Sequence, residues 1–138
     1  MIIRELLETD YIEYLRLINI FRQTVFTEEK FIEMLKIMKN NSVVIIIELN
    51  GRLIGTGTIL FENKFIHNIS KIAHIEDICI DSEFRGKGYG TLLVNYLIDH
   101  SKQNGCYKVT LYCKENLENF YNLSGLVKND IQMAVYFE

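Results

Sequence analysis

The chain has no proline, no tryptophan, only three cysteines and no excess of positive charge: 15 Lys and Arg stand against 18 Asp and Glu, a formal net charge of -3. Such a balance lacks the global positive field that drives sequence-independent nucleic-acid binding, so only a local anion site is compatible with it. Long apolar runs are missing too. The greasiest stretch, Ser42 to Leu49, carries Glu48 and is followed by Asn50, far short of the roughly 18 residues that span a bilayer. A soluble protein with no membrane association is expected. Met1-Ile2-Ile3-Arg4-Glu5 has no basic segment followed by an apolar one, so no signal peptide is expected. Cys79, Cys106 and Cys113 are irregularly spaced and none belongs to a C-x-x-C pair. That usage suits a reducing compartment, and the cytoplasm is the expected location.

What is present fits one folded unit. A chain of 138 residues buries roughly two-thirds of its unfolded surface without staples. Eight Tyr and eight Phe argue against disorder, and no linker, low-complexity tract or internal repeat divides the chain. Met1 to Glu5 reads as a strand. Thr9 and Asp10 offer an N-cap before Tyr11, Leu15 and Ile18, which predicts a helix over 10–21. Phe31, Leu35 and Met38 line a second helix after Thr27, ending near residue 39 at Asn40-Asn41. Ser42–Leu49 and Arg52–Leu60 flank Asn50-Gly51, a strong hairpin signal. Phe61 to Ser70 is polar and irregular; Ile72–Ile80 reads as the next strand. A long helix follows to about Asn104, stopped by Gly105. Lys108–Cys113 reads as a strand, Asn116–Leu123 as a short helix closed by Gly125, and Ile131–Phe137 as a final strand. The expected order is β-α-α-β-β-β-α-β-α-β, an α/β fold with a mixed sheet.

The first chemical signal is Arg85-Gly86-Lys87-Gly88-Tyr89-Gly90, set between a strand and a helix start. Glycines there leave backbone N–H groups unobstructed for an anion. The spacing matches neither the Gly-x-x-x-x-Gly-Lys-Ser/Thr loop of triphosphate enzymes nor the Gly-x-Gly-x-x-Gly dinucleotide fingerprint. A tight turn that needs glycine only for its conformation is the alternative. Arg85 favours the anion, because a guanidinium supplies a charge-matched fork for phosphate.

On this loop the chain resembles the GNAT N-acetyltransferases from about residue 2 to its end. The resemblance implies a GNAT acyl-CoA N-acyltransferase fold spanning 1–138 as a single domain. It also implies acetyl-CoA as co-substrate, its pyrophosphate held by the amides of Arg85, Gly86, Lys87, Gly88, Tyr89, Gly90 and Thr91. Further blocks narrow the match: Lys64-Phe65-Ile66-His67, His74-Ile75-Glu76-Asp77-Ile78, Gly105-Cys106-Tyr107-Lys108, and Cys113, Asn116 and Phe120-Tyr121. In that order they resemble the eukaryotic glucosamine 6-phosphate N-acetyltransferases, homodimers that supply the route to the activated nucleotide sugar UDP-N-acetylglucosamine.

Acetyl transfer to an amine needs a neutral nucleophile, a polarised carbonyl and a proton for the departing thiolate. Glu76 and Asp77 are adjacent on a strand and are expected to point to opposite faces. The resemblance places both at the sugar, with Ile78, Cys79 and Ile80 along the coenzyme, and Glu76 orienting the amine or relaying its proton. A solvated strand charge is the alternative. Tyr121 matches a tyrosine close to the coenzyme sulfur, where a phenol donates to a nascent thiolate; the alternative is an aromatic anchor. Asn116 is a helix N-cap, a partner of the coenzyme arm, or both. Thr24, Lys64, Phe65, Ile66 and His67 are the substrate-side candidates by resemblance. The histidines and cysteines form no metal-ligand spacing, and no metal is expected. Two positions depart from the family: Tyr112 stands where an acidic residue is common, and Val135-Tyr136-Phe137-Glu138 lacks the arginine that reaches a neighbouring subunit's substrate phosphate. Lys64 and His67, with Arg52 or Lys108, would then hold the phosphate. The acceptor is otherwise a different amino sugar or small amine, and a non-catalytic acetyl-CoA-binding module is the alternative outside enzymes.

Overall fold

Five strands make one sheet in the order β1-β2-β3-β4-β5 in a computed structural model that describes residues 1–137. β1 (Ile2–Glu5), β2 (Ser42–Leu49), β3 (Arg52–Lys64) and β4 (Ser70–Ile80) run antiparallel to their neighbours, and β5 (Lys108–Leu111) lies parallel to β4. A parallel pair cannot be closed by a tight turn, so a crossover is required. After α1 (Tyr11–Phe21), α2 (Glu28–Met38) and a distorted single turn, α3 (Ile66–Ile69), that crossover is α4 (Tyr89–Gln103). A one-turn 3-10 segment leads into α5 (Glu118–Asn122). The β2–β3 turn follows from its dipeptide: Asn50 and Gly51 both take positive φ, +51° and +79°, as a turn matched to strand twist demands.

Both faces of the sheet are covered, which is why Val44 to Ile47 is buried without a break. Val44, Ile46, Leu53 and Cys79 pack under α1 and α2 with Leu17, Phe31 and Leu35. Ile45, Ile47, Ile54, Ile59, Ala73 and Ile75 pack under α4 with Leu93 and Leu97. Gly57 permits the close approach of α4, because a Cβ there would sit 2.7 Å from Leu97 Cδ1.

Several boundaries differ from the sequence expectations. Half of the polar stretch Phe61 to Ser70 is strand, since β3 and β4 stay paired out to Lys64 and Ser70, with Glu62 meeting His74 across the ladder at 2.9 Å. β5 stops at Leu111, leaving Tyr112 and Cys113 outside it. Asp10 does not cap α1; its carboxylate accepts from Arg4 and from the Leu7 N–H. Thr27 does cap α2, accepting from the Lys30 N–H at 3.2 Å. Asn116 lies within the 3-10 turn and caps no helix. Ile131–Phe137 forms no strand: these residues are exposed and no described strand lies beside them. Glu138 lies outside the described residues.

Paired carboxylates set an acid limit on stability. Burial alone would raise the carboxyls of Asp10 and Asp81, but hydrogen bonds from Arg4 and Leu7, and from Glu83 and Arg16, hold both below the ordinary 3.8. A depressed folded pKa contributes stability that is complete above the unfolded value and lost as pH falls through the folded one. The unfolding temperature is therefore expected to be level from about pH 7 to 5 and to fall below about pH 4 in a circular-dichroism titration. A level profile down to pH 3 would contradict these pairings.

Candidate active site

The chain leaves β4 through a clamp. Asp81 is 1% exposed; its Oδ2 accepts from Arg16 Nη1 of α1 at 2.9 Å and Arg52 Nη2 of β3 at 3.0 Å, while Oδ1 accepts from the Glu83 N–H. The turn that follows is thus fixed from two sides before it reaches Arg85. Gly86 and Gly88 then take φ of +75° and +88°. Gly88 starts α4 with no side-chain cap and no acidic residue in the first turn. Among the described residues, no backbone N–H from Arg85 to Thr91 donates to a protein acceptor. Free amides at the positive end of a 15-residue helix make a site for a phosphate or diphosphate. Arg85 donates its Nε to the Ile80 carbonyl at 3.0 Å, which orients its two terminal amino groups, and Lys87 Nζ lies 5.4 Å from the Phe84 ring. Arg52 is spent on Asp81 and Glu83, so it is not free for a substrate phosphate.

Beside this turn the sheet splits. β4 and β5 pair only over Ile72–Ile75 and Lys108–Leu111; beyond Leu111 the chain departs toward α5, and Glu76 to Cys79 have no strand on that side. An extended arm carrying amides can lie along such an edge. Ile78 and Ile80 turn their side chains into the α4-side core, and Cys79 turns its thiol under α1, toward the Leu17 carbonyl at 3.8 Å. Any contact from these three to an arm is therefore made by backbone. Burial raises the Cys79 thiol, leaving it a small apolar group.

Glycine also places α5. A Cβ on Gly90 would stand 2.9 Å from Phe120 Cζ, so the bare helix start lets Phe120 rest on it. Tyr121 follows, its ring edge-on to Phe120 at 4.9 Å. Burial first, and then the nearby Cys113 sulfur, raise its phenol above the ordinary 10. At neutral pH it is an O–H donor. Asn116 is exposed on the preceding turn.

β4 carries a bulge where its carboxylates lie. Thr56 pairs with Cys79 but Thr58 pairs with Glu76, so Gly57 opposes Asp77 and Ile78 together. Asp77 takes a φ of +51°, and Ile78 fills the place against Leu93 and Leu97 that strict alternation would have given Asp77. The expected opposite-face arrangement of Glu76 and Asp77 is therefore broken. Glu76, next to the core residue Ile75, lies on the face away from α4. Asp77 is close enough to Tyr14 of α1 to act on its phenol, which burial above all, and then this charge, push up to about 12. Both carboxylates are exposed.

Of the substrate-side candidates, Lys64 lies far from these carboxylates within one chain. Lys64 pairs with Ser70, six residues before Glu76 on β4, a separation of ~20 Å at strand rise. That exceeds the length of a hexosamine phosphate. Phe65 is 92% exposed and Ile66 is exposed beside it. His67, Asn68 and Ile69 take left-handed φ of +53°, +59° and +61°, with His67 Nε2 3.0 Å from the Tyr107 hydroxyl. Thr24 is exposed in the α1–α2 loop, its N–H on Asn19 Oδ1. Sequence reasoning missed the Asp81 clamp and the bulge; an aspartate directly after an apolar strand was the one available signal for the clamp.

A split mixed sheet beside a free-amide helix start defines an acyl-coenzyme A transferase fold. The family model described as "Acetyltransferase (GNAT) family" matches residues 3–125, and the chain belongs to that family. It is 39% identical over 117 residues to glucosamine 6-phosphate N-acetyltransferase of Arabidopsis thaliana, covering 81% of this chain and 78% of that protein. It is 36% identical to glucosamine 6-phosphate N-acetyltransferase 1 of Dictyostelium discoideum, covering 80% and 74%. The crystal structure of the Arabidopsis enzyme superposes with a TM-score of 0.94 at 35% identity over 99% of this chain and 98% of that one. Among the described residues, no helix is long and apolar enough to cross a membrane, and no group of three or more His, Cys, Asp or Glu is placed to hold a metal.

Proposed function

We propose that the chain transfers the acetyl group of acetyl-CoA to the amine of D-glucosamine 6-phosphate, giving N-acetyl-D-glucosamine 6-phosphate for UDP-N-acetylglucosamine synthesis, by direct transfer in a ternary complex. The observation that carries this reading is the open β4 edge lying between the free amides of Arg85 to Thr91 and the Tyr121 phenol. Acetyl-CoA supplies the activated acyl group. The glycine-turn amides and Arg85 hold its diphosphate, and the backbone of Glu76 to Cys79 aligns its amide arm. Glu76 orients the acceptor amine from the face opposite α4. Tyr121 gives its proton toward the leaving sulfur. Asp77 holds a sugar hydroxyl, and Asn116 steadies the arm at the mouth of the split.

The ~20 Å between Lys64 and Glu76 supports reading the active form as a homodimer in which Lys64, with His67 and Thr24, serves the neighbouring site. The C-terminal segment supports this. Ile131, Met133, Val135 and Phe137 alternate with Gln132, Ala134 and Tyr136 and are 74–90% exposed, the pattern of a strand awaiting a sheet. Light scattering should give twice the monomer mass, and deleting residues 131–138 should give a monomer without turnover. A full-length monomer with full activity would overturn the arrangement. Three free cysteines suit the cytoplasm.

Thiol release measured over a panel of amines tests the substrate. Glucosamine 6-phosphate should give the highest kcat/KM. Tyr112 in the family's acidic position supports one second reading, another amino sugar on the same scaffold, which a faster acceptor in the panel would select.

A further inference from the structure

Three side chains outside the split form a continuous hydrogen-bonded chain that no step above uses. Thr110 Oγ1 lies 2.6 Å from His74 Nδ1, and His74 Nε2 lies 2.9 Å from Glu62 Oε1. Lys64 Nζ approaches the same oxygen at 3.5 Å. His74 and Thr110 are paired residues of the parallel β4–β5 ladder. Their neighbours Ala73, Ile75, Val109 and Leu111 all turn to the α4 core, so both polar side chains stand on the opposite face, the one that carries Glu76 two residues further along β4.

We propose that Thr110, His74 and Glu62 relay away the proton lost by the acceptor ammonium, an inference that rests on the acetyl-transfer reading. The ammonium must lose this proton before its nitrogen attacks. Glu76 takes it first and must pass it on before the next acceptor binds. An imidazole can take a proton on one ring nitrogen and release one from the other. With neutral His74 donating Nε2–H to Glu62, its Nδ1 lone pair accepts from the Thr110 hydroxyl. One proton then reaches Thr110 Oγ1 from Glu76, directly or through water, as the hydroxyl's own proton passes to Nδ1. The imidazolium stands against the Glu62 carboxylate and releases the Nε2 proton through Glu62, which is exposed to solvent; exchange with solvent of the remaining Nδ1 proton for one on Nε2 then restores the resting tautomer. The charged and titratable groups around His74 are Glu62 and Lys64 on β3, Glu76 on its own strand, Lys108 at the start of β5 and Tyr112 just past its end. His74 touches no substrate atom and acts through Thr110.

Two measurements test the relay. Long-range 1H–15N spectra of the full chain at neutral pH, with His74 assigned through His74→Gln, should show Nε2 protonated and Nδ1 bare. A proton on Nδ1, alone or with one on Nε2, overturns the relay without any assay. In kinetics, His74→Gln keeps a donor and an acceptor but cannot ionise. It should lower kcat ~10²-fold, remove the acid limb of the kcat–pH profile, and leave the acetyl-CoA KM unchanged. Thr110→Val should match it and Thr110→Ser should restore the rate. A fully active His74→Gln beside an active native chain overturns the relay alone; a native chain that acetylates no amine overturns the relay and the acetyl-transfer reading together.

Discussion

Tyr121→Phe should lower kcat by ~10²-fold or more while the acetyl-CoA KM holds. The phenol is kept protonated by burial and by the Cys113 sulfur beside it, so at neutral pH it can donate and has no charge to repel a thiolate. A hydrogen bond to a charged acceptor contributes about 1.5–3 kcal/mol, and the proton it delivers adds to that in the transition state. Phenylalanine keeps the edge contact with Phe120 at 4.9 Å, so folding and coenzyme binding should not change. The sign of the pH effect follows from the raised phenol: a donor is lost only when it ionises, so the alkaline fall in native kcat due to Tyr121 begins above the ordinary tyrosine value of 10. An unchanged kcat in the variant would remove Tyr121 from the chemistry and return it to an anchor.

The second large effect is on binding. Gly88→Val should weaken coenzyme A at least ~10²-fold by titration calorimetry, because two things fail together. A β-branched residue is an outlier at a φ of +88°, costing roughly 1–2 kcal/mol. Relief of that strain turns the amides of Gly88 and its neighbours away from the diphosphate, and losing two charge-assisted bonds of about 1.5–3 kcal/mol each exceeds the tenfold step several times over. The core under α4, with Leu93, Val94 and Leu97 fully buried, does not touch this position, so the chain should stay folded. Native affinity in the variant would mean that the turn is glycine-rich for conformation alone.

Much of this site was legible in the residues because its parts are local. Glycines at a helix start, an arginine ahead of them and a helix stop at Gly105 are rules of a few consecutive residues, and the structure follows them. Asn50-Gly51 likewise set its hairpin. What the pattern hid was relational. The bulge at Asp77 exists because β3 supplies Gly57 against two residues of β4, and alternation along one strand cannot reveal a mismatch with another. The same limit hid Asp81, whose two arginines come from 65 and 29 residues away, and the early end of β5, which opens the split. Ile131–Phe137 reads as a final strand but has no described strand beside it, because the apolar pattern of one segment does not tell whether a partner strand is there to pair with it.

The most direct test is to identify the product. Incubated with acetyl-CoA and D-glucosamine 6-phosphate, the purified chain should convert the sugar to its N-acetyl form by mass spectrometry, one acetylated sugar for each free thiol released. Bound coenzyme with unaltered sugar and no thiol would contradict the account.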